Sequence, residues 1–178
     1  MAILPNYTIL EEIHQNIYQN NKIRTFRGYM TVNQTPVIIK ILMKEAFNLF
    51  DVSRLINEYE ITQSLDIDGI IKPMALERTD SYFALITKDI GVVPLKTYIG
   101  SHTVDPWLFM DIVVQLAETI GRIHERGIIH NDLKPEHINI HPDTGKVYLS
   151  GFSNASNISS ENKNNLPSMG MECSPEYI

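Results

Sequence analysis

Cysteine is almost missing from this chain. Cys173 is the only one in 178 residues, so neither an internal disulfide nor a cysteine metal cluster can form, and a free thiol suits a reducing compartment. No basic-then-apolar leader opens the sequence, and no apolar run approaches the ~18 to 20 residues that cross a bilayer, so a cytoplasmic protein without a membrane partner is expected. Basic charge is scarce as well. Fifteen Lys and Arg stand against 21 Asp and Glu, for a net charge of −6. They are scattered rather than gathered into a stripe, which excludes nucleic acid as a partner. Glycine is lacking where phosphate loops need it: from Ile9 to Tyr29 the only one is Gly28, so no Gly-x-Gly-x-x-Gly can bring backbone N–H groups up to a phosphate. What the chain does have is core, with 43% hydrophobic residues, enough for one domain or two small lobes.

The patterning predicts an α+β protein. Residues 7–13, 25–32 and 37–42 read as strands, the last two joined by the hairpin-forming Asn33-Gln34-Thr35-Pro36. Val52, Leu55, Ile56, Tyr59 and Leu65 recur near helical spacing, with Asp51 or Ser53 available as a cap. Residues 70–76 and 82–87 form two further apolar runs around the turn-prone Arg78-Thr79-Asp80-Ser81 and are expected to extend the same sheet. From 106 to 126, Ile112, Val113, Leu116, Ala117, Ile120 and Ile123 form a broad apolar stripe, opened by Pro106 and stopped by Gly127. A short strand at 138–140, a turn at 141–145 and a strand at 146–150 follow. The Ser- and Asn-rich stretch 153–168 is expected to be a loop.

One segment carries chemistry: His130-Asn131-Asp132-Leu133-Lys134-Pro135-Glu136-His137, between the long helix and the hairpin. Asp132 can take a proton from an attacking hydroxyl, and Lys134 can neutralise charge on a transferred phosphoryl group. A lone His-x-Asp is weak evidence, since a surface Asp in a turn is common, but other parts stand in a matching order. Lys40 ends the alternating apolar strand Pro36-Val37-Ile38-Ile39-Lys40, Glu58 lies on the next helix with Glu60 as a competitor, and Ser174-Pro175-Glu176 stands near the end. Alone, Lys40 reads as a solvent-facing strand lysine and Glu58 as a solvated helix carboxylate. The trio His137, His141 and Asp143 reads as polar loop rather than as a transition-metal site, because a strand between them alternates side-chain direction.

Taken together these motifs resemble the eukaryotic-type serine/threonine protein kinase family over nearly the whole chain. Gly127-Ile128-Ile129-His130-Asn131-Asp132-Leu133-Lys134-Pro135 and His141-Pro142-Asp143-Thr144-Gly145-Lys146-Val147 are similar to bacterial kinase domains at the head of multi-domain sensor kinases, notably cyanobacterial ones. The resemblance implies an antiparallel-sheet lobe with one helix over 1–90 and an incomplete helical lobe over 91–178. It also implies that Lys40 pairs with Glu58, that Asp132 and Lys134 are the catalytic residues, and that Thr87 lies near the gatekeeper with Lys88 and Ile90 at the adenine edge.

Against the family pattern, the two magnesium-ligand positions carry His137, where an Asn is usual, and Gly151, where the Asp of Asp-Phe-Gly is usual. Asn131 replaces the Arg before the catalytic Asp, so control by activation-loop phosphorylation is not expected. ATP binding is accordingly expected to be weak or absent and Mg²⁺ to be poorly held. The sequence stops two residues after Glu176, where the family continues with further helices. On that basis the stripe on 106–126 is expected to lie partly open to water and to promote self-association or capture of a protein partner. Four readings follow: a catalytically impaired or inactive kinase-fold module, an active serine/threonine kinase using ATP and Asp132, a fragment of a longer kinase, and a small-molecule kinase of the aminoglycoside or choline type. Lys134-Pro135 and Ser174-Pro175-Glu176 disfavour the last.

Overall fold

The computed structural model describes residues 4–13, 23–43 and 48–158. The chain forms two compact units, Met1–Tyr59 with Lys72–Ile90, and Glu60–Ile71 with Gly91–Ile178. Ser174-Pro175-Glu176, Cys173 and most of 153–168 lie outside the described residues.

The first unit is a five-stranded antiparallel sheet with a helix. In chain order it holds β1 (Tyr7–Glu12), β2 (Ile23–Met30), β3 (Pro36–Met43), α1 (Leu49–Ser64) as far as Tyr59, β4 (Pro73–Arg78) and β5 (Tyr82–Lys88), with strands arranged β1-β2-β3-β5-β4. The β2–β3 turn falls where the Asn-Gln-Thr-Pro tetrad predicts it. Asn33 accepts from the Thr35 amide at 3.1 Å, and Gln34 adopts the left-handed conformation. Alternation along the strands sorts two small cores. Val37, Ile39 and Ile41 of β3 join Phe26, Tyr82, Ala84 and Ile86 in one, while Leu42, Phe83 and Leu85 pack with Leu55 of α1 in the other. Lys40 shares the parity of Leu42, which turns it toward α1. The single glycine of this region has a packing reason: Gly28 pairs with Ile9 beside a β1 bulge, and a Cβ there would run into the Thr8 carbonyl. The cap of α1 is Asn48, which accepts from the Asp51 amide at 2.6 Å; Asp51 itself sits in the first turn, so neither expected residue caps the helix.

The second unit holds β6 (Val93–Pro94), α2 (Leu95–Ser101), α3 (Pro106–Glu125), β7 (Ile128–Ile129), β8 (Ile138–Ile140), β9 (Val147–Leu149), a 3₁₀ turn at Phe152–Asn154 and β10 (Ser156–Asn157). Its sheets are β6-β8-β9 and the pair β7-β10. The α3 boundaries follow from local chemistry. Asp105 accepts from the amides of Trp107 and Leu108 at 2.8 and 2.9 Å, Pro106 takes the first turn, and Gly127 leaves the helix with φ of +71°. Ile112 and Ile123 are buried against Ile128, Ile138, Ile140, Leu149 and Phe152, with Leu116 and Ile120 packed beside them. Gln115 adds polar attachment, donating to the Gly145 carbonyl at 3.1 Å and accepting from the Val147 amide at 3.0 Å.

Two expectations need correction. Ile70 does not extend the five-stranded sheet; it bridges to Leu149 in the second unit, because its side chain is needed in that core. Within the stripe on 106–126, Ile112 and Ile123 are buried and Leu116 and Ile120 half-buried, whereas Val113 is exposed together with Trp107, Phe109, Met110 and Val114 of α3. The start of the expected loop is ordered, since residues 152–154 form the 3₁₀ turn and Ser156–Asn157 pair with Ile128–Ile129. The α+β expectation holds.

Candidate active site

In the first unit, the β3–β5 pairing holds Lys40 opposite Leu85, and the parity of the strand sends its side chain toward α1. There Lys40 Nζ meets Glu58 Oε1 at 2.7 Å. Glu58 is buried and Glu60 exposed, which decides between the two carboxylates. The pair couples a strand to a helix through a charge-assisted bond shielded from most solvent. At the end of β5, Thr87 donates from its hydroxyl to the Ile38 carbonyl at 3.2 Å and Lys88 is exposed. Next to it Asp89 is tied down twice, its amide to the Pro36 carbonyl at 2.9 Å and its carboxylate to Arg27 Nε at 2.7 Å. Arg27 also reaches Glu11 at 2.8 Å, and its two carboxylate partners hold its pKa above the ordinary arginine value despite the cost of desolvation. Ile90, beyond Asp89, has no regular secondary structure.

In the second unit, the segment from β7 to β8 wraps around Asp132. Asn131 takes the left-handed conformation at φ of +61°, which folds the chain back so that His130 lies beneath the peptide of Asp132. His130 is buried, and its Nδ1 accepts from the Asp132 amide at 3.2 Å. Its Nε2 therefore carries the proton and donates to the Ser150 carbonyl at 2.9 Å. His137 holds the other side. Its Nδ1 lies 2.8 Å from the Asp132 carbonyl, which can only accept, so here Nδ1 carries a proton and donates. Two histidines thus clamp both backbone groups of Asp132. The Asp132 carboxylate takes Lys134 Nζ at 3.0 Å and lies 3.5 Å from His137 Nδ1. The sequence reading brings Asp132 and Lys134 together, and so does the fold.

The ring of Phe152 tilts against His130 with centroids 4.6 Å apart, and Phe152 is fully buried. Gly151 before it adopts φ of +80°, and a Cβ there would lie 2.5 to 2.6 Å from the Cγ, Cδ2 and Nδ1 atoms of His137. The residues at these two positions do not fit Mg²⁺. The cation needs hard oxygen ligands in octahedral geometry. Glycine has no side chain to offer, and the Nδ1 of His137 is committed to the Asp132 carbonyl. Among the described residues no group of three or more His, Cys, Asp or Glu could hold a metal ion. Asn139, two residues on, is no substitute: it is buried in β8, donating to the His137 carbonyl at 3.2 Å and to Ser150 Oγ at 2.9 Å.

Sequence reasoning missed Asn131 as a structural residue. Where the resemblance implies an arginine, the Asn131 amide donates to the Asn154 carbonyl at 3.1 Å and to Ser156 Oγ at 3.0 Å, securing the 3₁₀ turn and β10. It also missed Glu136, which holds Lys96 of α2 at 2.6 Å. An Asn beside an Asp in a turn was the available signal for the first; nothing local marks the second.

A family model described as protein kinase domain matches residues 22–178. The chain is 26% identical over 161 residues to the serine/threonine-protein kinase ULK3 of Xenopus laevis, covering 89% of this chain and 34% of that protein. It is 28% identical over 126 residues to the serine/threonine-protein kinase PrkC of Bacillus subtilis, covering 70% and 19% respectively. A Dictyostelium discoideum protein named a probable inactive serine/threonine-protein kinase is 28% identical over 123 residues, covering 68% of this chain and 10% of its own length. The chain therefore spans at most 34% of the length of these three relatives. With its strand–helix ion pair, its Asp132 loop and its antiparallel sheet in a protein-kinase-like α+β fold, this chain belongs to the protein kinase domain family.

Proposed function

We propose that this chain is a kinase-fold signalling or interaction module of the pseudokinase kind, impaired in or devoid of metal-dependent phosphoryl transfer. The observation that carries the reading is the pair His137 and Gly151: one position has no ligand atom, and the other has its ring wedged against it. Phosphoryl transfer by this fold depends on cations that bridge and neutralise the phosphates, so a correctly held base has no polarised phosphoryl group to serve. The relative named inactive and the missing glycine motif between residues 9 and 29 agree with this. The likeness to PrkC of a bacterium supports the narrower reading of a bacterial kinase domain, and His137 and Gly151 support its being degenerate. A module of this kind works by contact, and Phe109, Met110, Val113 and Val114 on α3 offer an exposed apolar face for a protein partner.

A specific observation favours the second reading, an active serine/threonine kinase. Lys40 and Glu58 are joined at 2.7 Å, and Asp132 is backed by Lys134 at 3.0 Å. Calorimetric titration of ATP, with Mg²⁺ and with EDTA, separates the two. The module predicts no metal-dependent gain in affinity and no phosphoryl transfer to a generic protein substrate. Metal-dependent binding lost in Lys40→Ala, with transfer lost in Asp132→Asn, would establish the active enzyme instead.

A further inference from the structure

The two departures at the metal-ligand positions touch each other. Gly151 has φ of +80°, a conformation that resists any L side chain, but the space around it matters more than the angle. A Cβ at 151 would lie 2.5 Å from Cγ of His137, the ring atom nearest that residue's own backbone. The ring cannot swing clear cheaply, because Nδ1 is anchored 2.8 Å from the Asp132 carbonyl and the His137 backbone is fixed on both sides. Its amide donates to the Lys134 carbonyl at 2.9 Å, and its carbonyl accepts from the Ser150 amide at 2.9 Å. Gly145, in the same unit with φ of +68°, provides a contrast: a Cβ there would meet only Leu108, at an ordinary 3.8 Å.

We propose that His137 and Gly151 are one interlocked replacement: the imidazole fills the volume in which any side chain at 151 must begin, so a carboxylate can return to position 151 only if residue 137 is changed with it. His137 is then a positioning residue. It exchanges the ligand pair for a brace that keeps the Asp132 carbonyl and the β8–β9 hairpin in place without a cation. The steric part of the inference is independent of function, while its consequence for metal binding rests on the reading of 137 and 151 as ligand positions.

A thermal-denaturation cycle on the full chain tests the steric part. Gly145→Ala measures the cost of the backbone angle alone. Gly151→Ala is expected to lower Tm at least twice as far, and the excess is expected to vanish when Gly151→Ala is combined with His137→Ala. Equal losses at the two glycines, or strictly additive losses in the double variant, would overturn the interlock. If Gly151→Ala does not fold, recovery of a folded chain in the double variant supports the proposal and failure of both overturns it. Mn²⁺ added alone, followed by paramagnetic broadening of the amide signals of residues 130–139, tests the consequence. Broadening is expected in His137→Asn/Gly151→Asp and not in Gly151→Asp. A coupled Tm cycle without that broadening would retain the interlock and overturn the reading of these positions as latent metal ligands.

Discussion

The first unit holds the ion pair that the family resemblance implies, with Lys40 on Glu58 at 2.7 Å, whereas in the second the two positions that the resemblance assigns to metal ligands carry a histidine and a glycine. The difference follows from what each set does for the fold. Lys40 and Glu58 link β3 to α1 in a largely dehydrated place, and deleting one partner leaves the other's charge there. Such a pair has a structural reason to remain whatever the chemistry. Metal ligands give the apo fold much less, and here a ring fills the gap and its Nδ1 takes over a backbone bond. A lysine–glutamate pair is therefore poor evidence for catalysis, and on the proposed reading the residues at 137 and 151 weigh more.

The largest way to break this contrast is at the ring beneath the clamp. Phe152 is fully buried against His130, and Phe152→Ala is expected to cost about 3 to 5 kcal/mol, or roughly 10 °C in Tm. Hydrogen exchange would show the damage where it falls. Protection at β8 and β9 should collapse while β3 and β5 keep most of theirs, and uniform loss across both would mean that the units do not respond separately.

Lys40→Ala probes the other side at smaller cost. The Lys40 side chain keeps about a quarter of its exposure, at 25%, and that of Glu58 only 11%, so the loss is expected at about 1 to 3 kcal/mol, below the penalty for breaking a fully buried pair. Protection should fall in α1 and β3 with β8 and β9 unchanged. A variant as stable as the parent would remove the structural reason offered for keeping the pair, and would leave its chemistry as the better explanation.

How much of this was legible in the sequence depends on where each bond lies. Lys40, Glu58, Asp132 and Lys134 stand in an ordered set of motifs, and strand parity alone points Lys40 away from Val37, Ile39 and Ile41. The strands β1 to β3 and α3 could be read because long periodic segments announce themselves. By contrast, β6, β7 and β10 are two-residue strands held by non-local partners, and α2 is seven residues long with no buried side chain, so no pattern marks them. The histidine clamp was hidden for another reason. His130 and His137 act on the amide and carbonyl of Asp132, groups that every residue carries and no sequence reveals. That His137 and Gly151 exclude each other could be read only from their distance.

The smallest expected effect also divides the units, by pH. In the second, Lys146 bonds Asp68 at 2.8 Å and draws the carboxyl pKa below its usual range. In the first, burial and a 2.8 Å bond to Glu77 push the Tyr7 hydroxyl well above the ordinary tyrosine value, and burial raises Tyr82 as well. The signs are opposite. A lowered carboxyl pKa contributes stability that is complete above the unfolded value, about 3.9, and disappears as pH falls through the folded one. A raised tyrosine pKa contributes stability that is complete below the unfolded value, about 10, and disappears as pH rises through the folded one. Asp68→Asn should therefore lie slightly below the parent in Tm at pH 7, converge with it as pH falls through the lowered carboxyl pKa, and show a smaller gap in high salt because the pair is exposed. Tyr7→Phe should lose about 1 to 2 kcal/mol at neutral pH and respond less to alkali than the parent, because the group that must ionise is gone. Hydrogen exchange at both extremes assigns each loss to its unit: β1 and β4 should open first in alkali, and the 68–71 segment with β9 first in acid. The reverse order would show that neither contact governs the pH response of the unit that contains it.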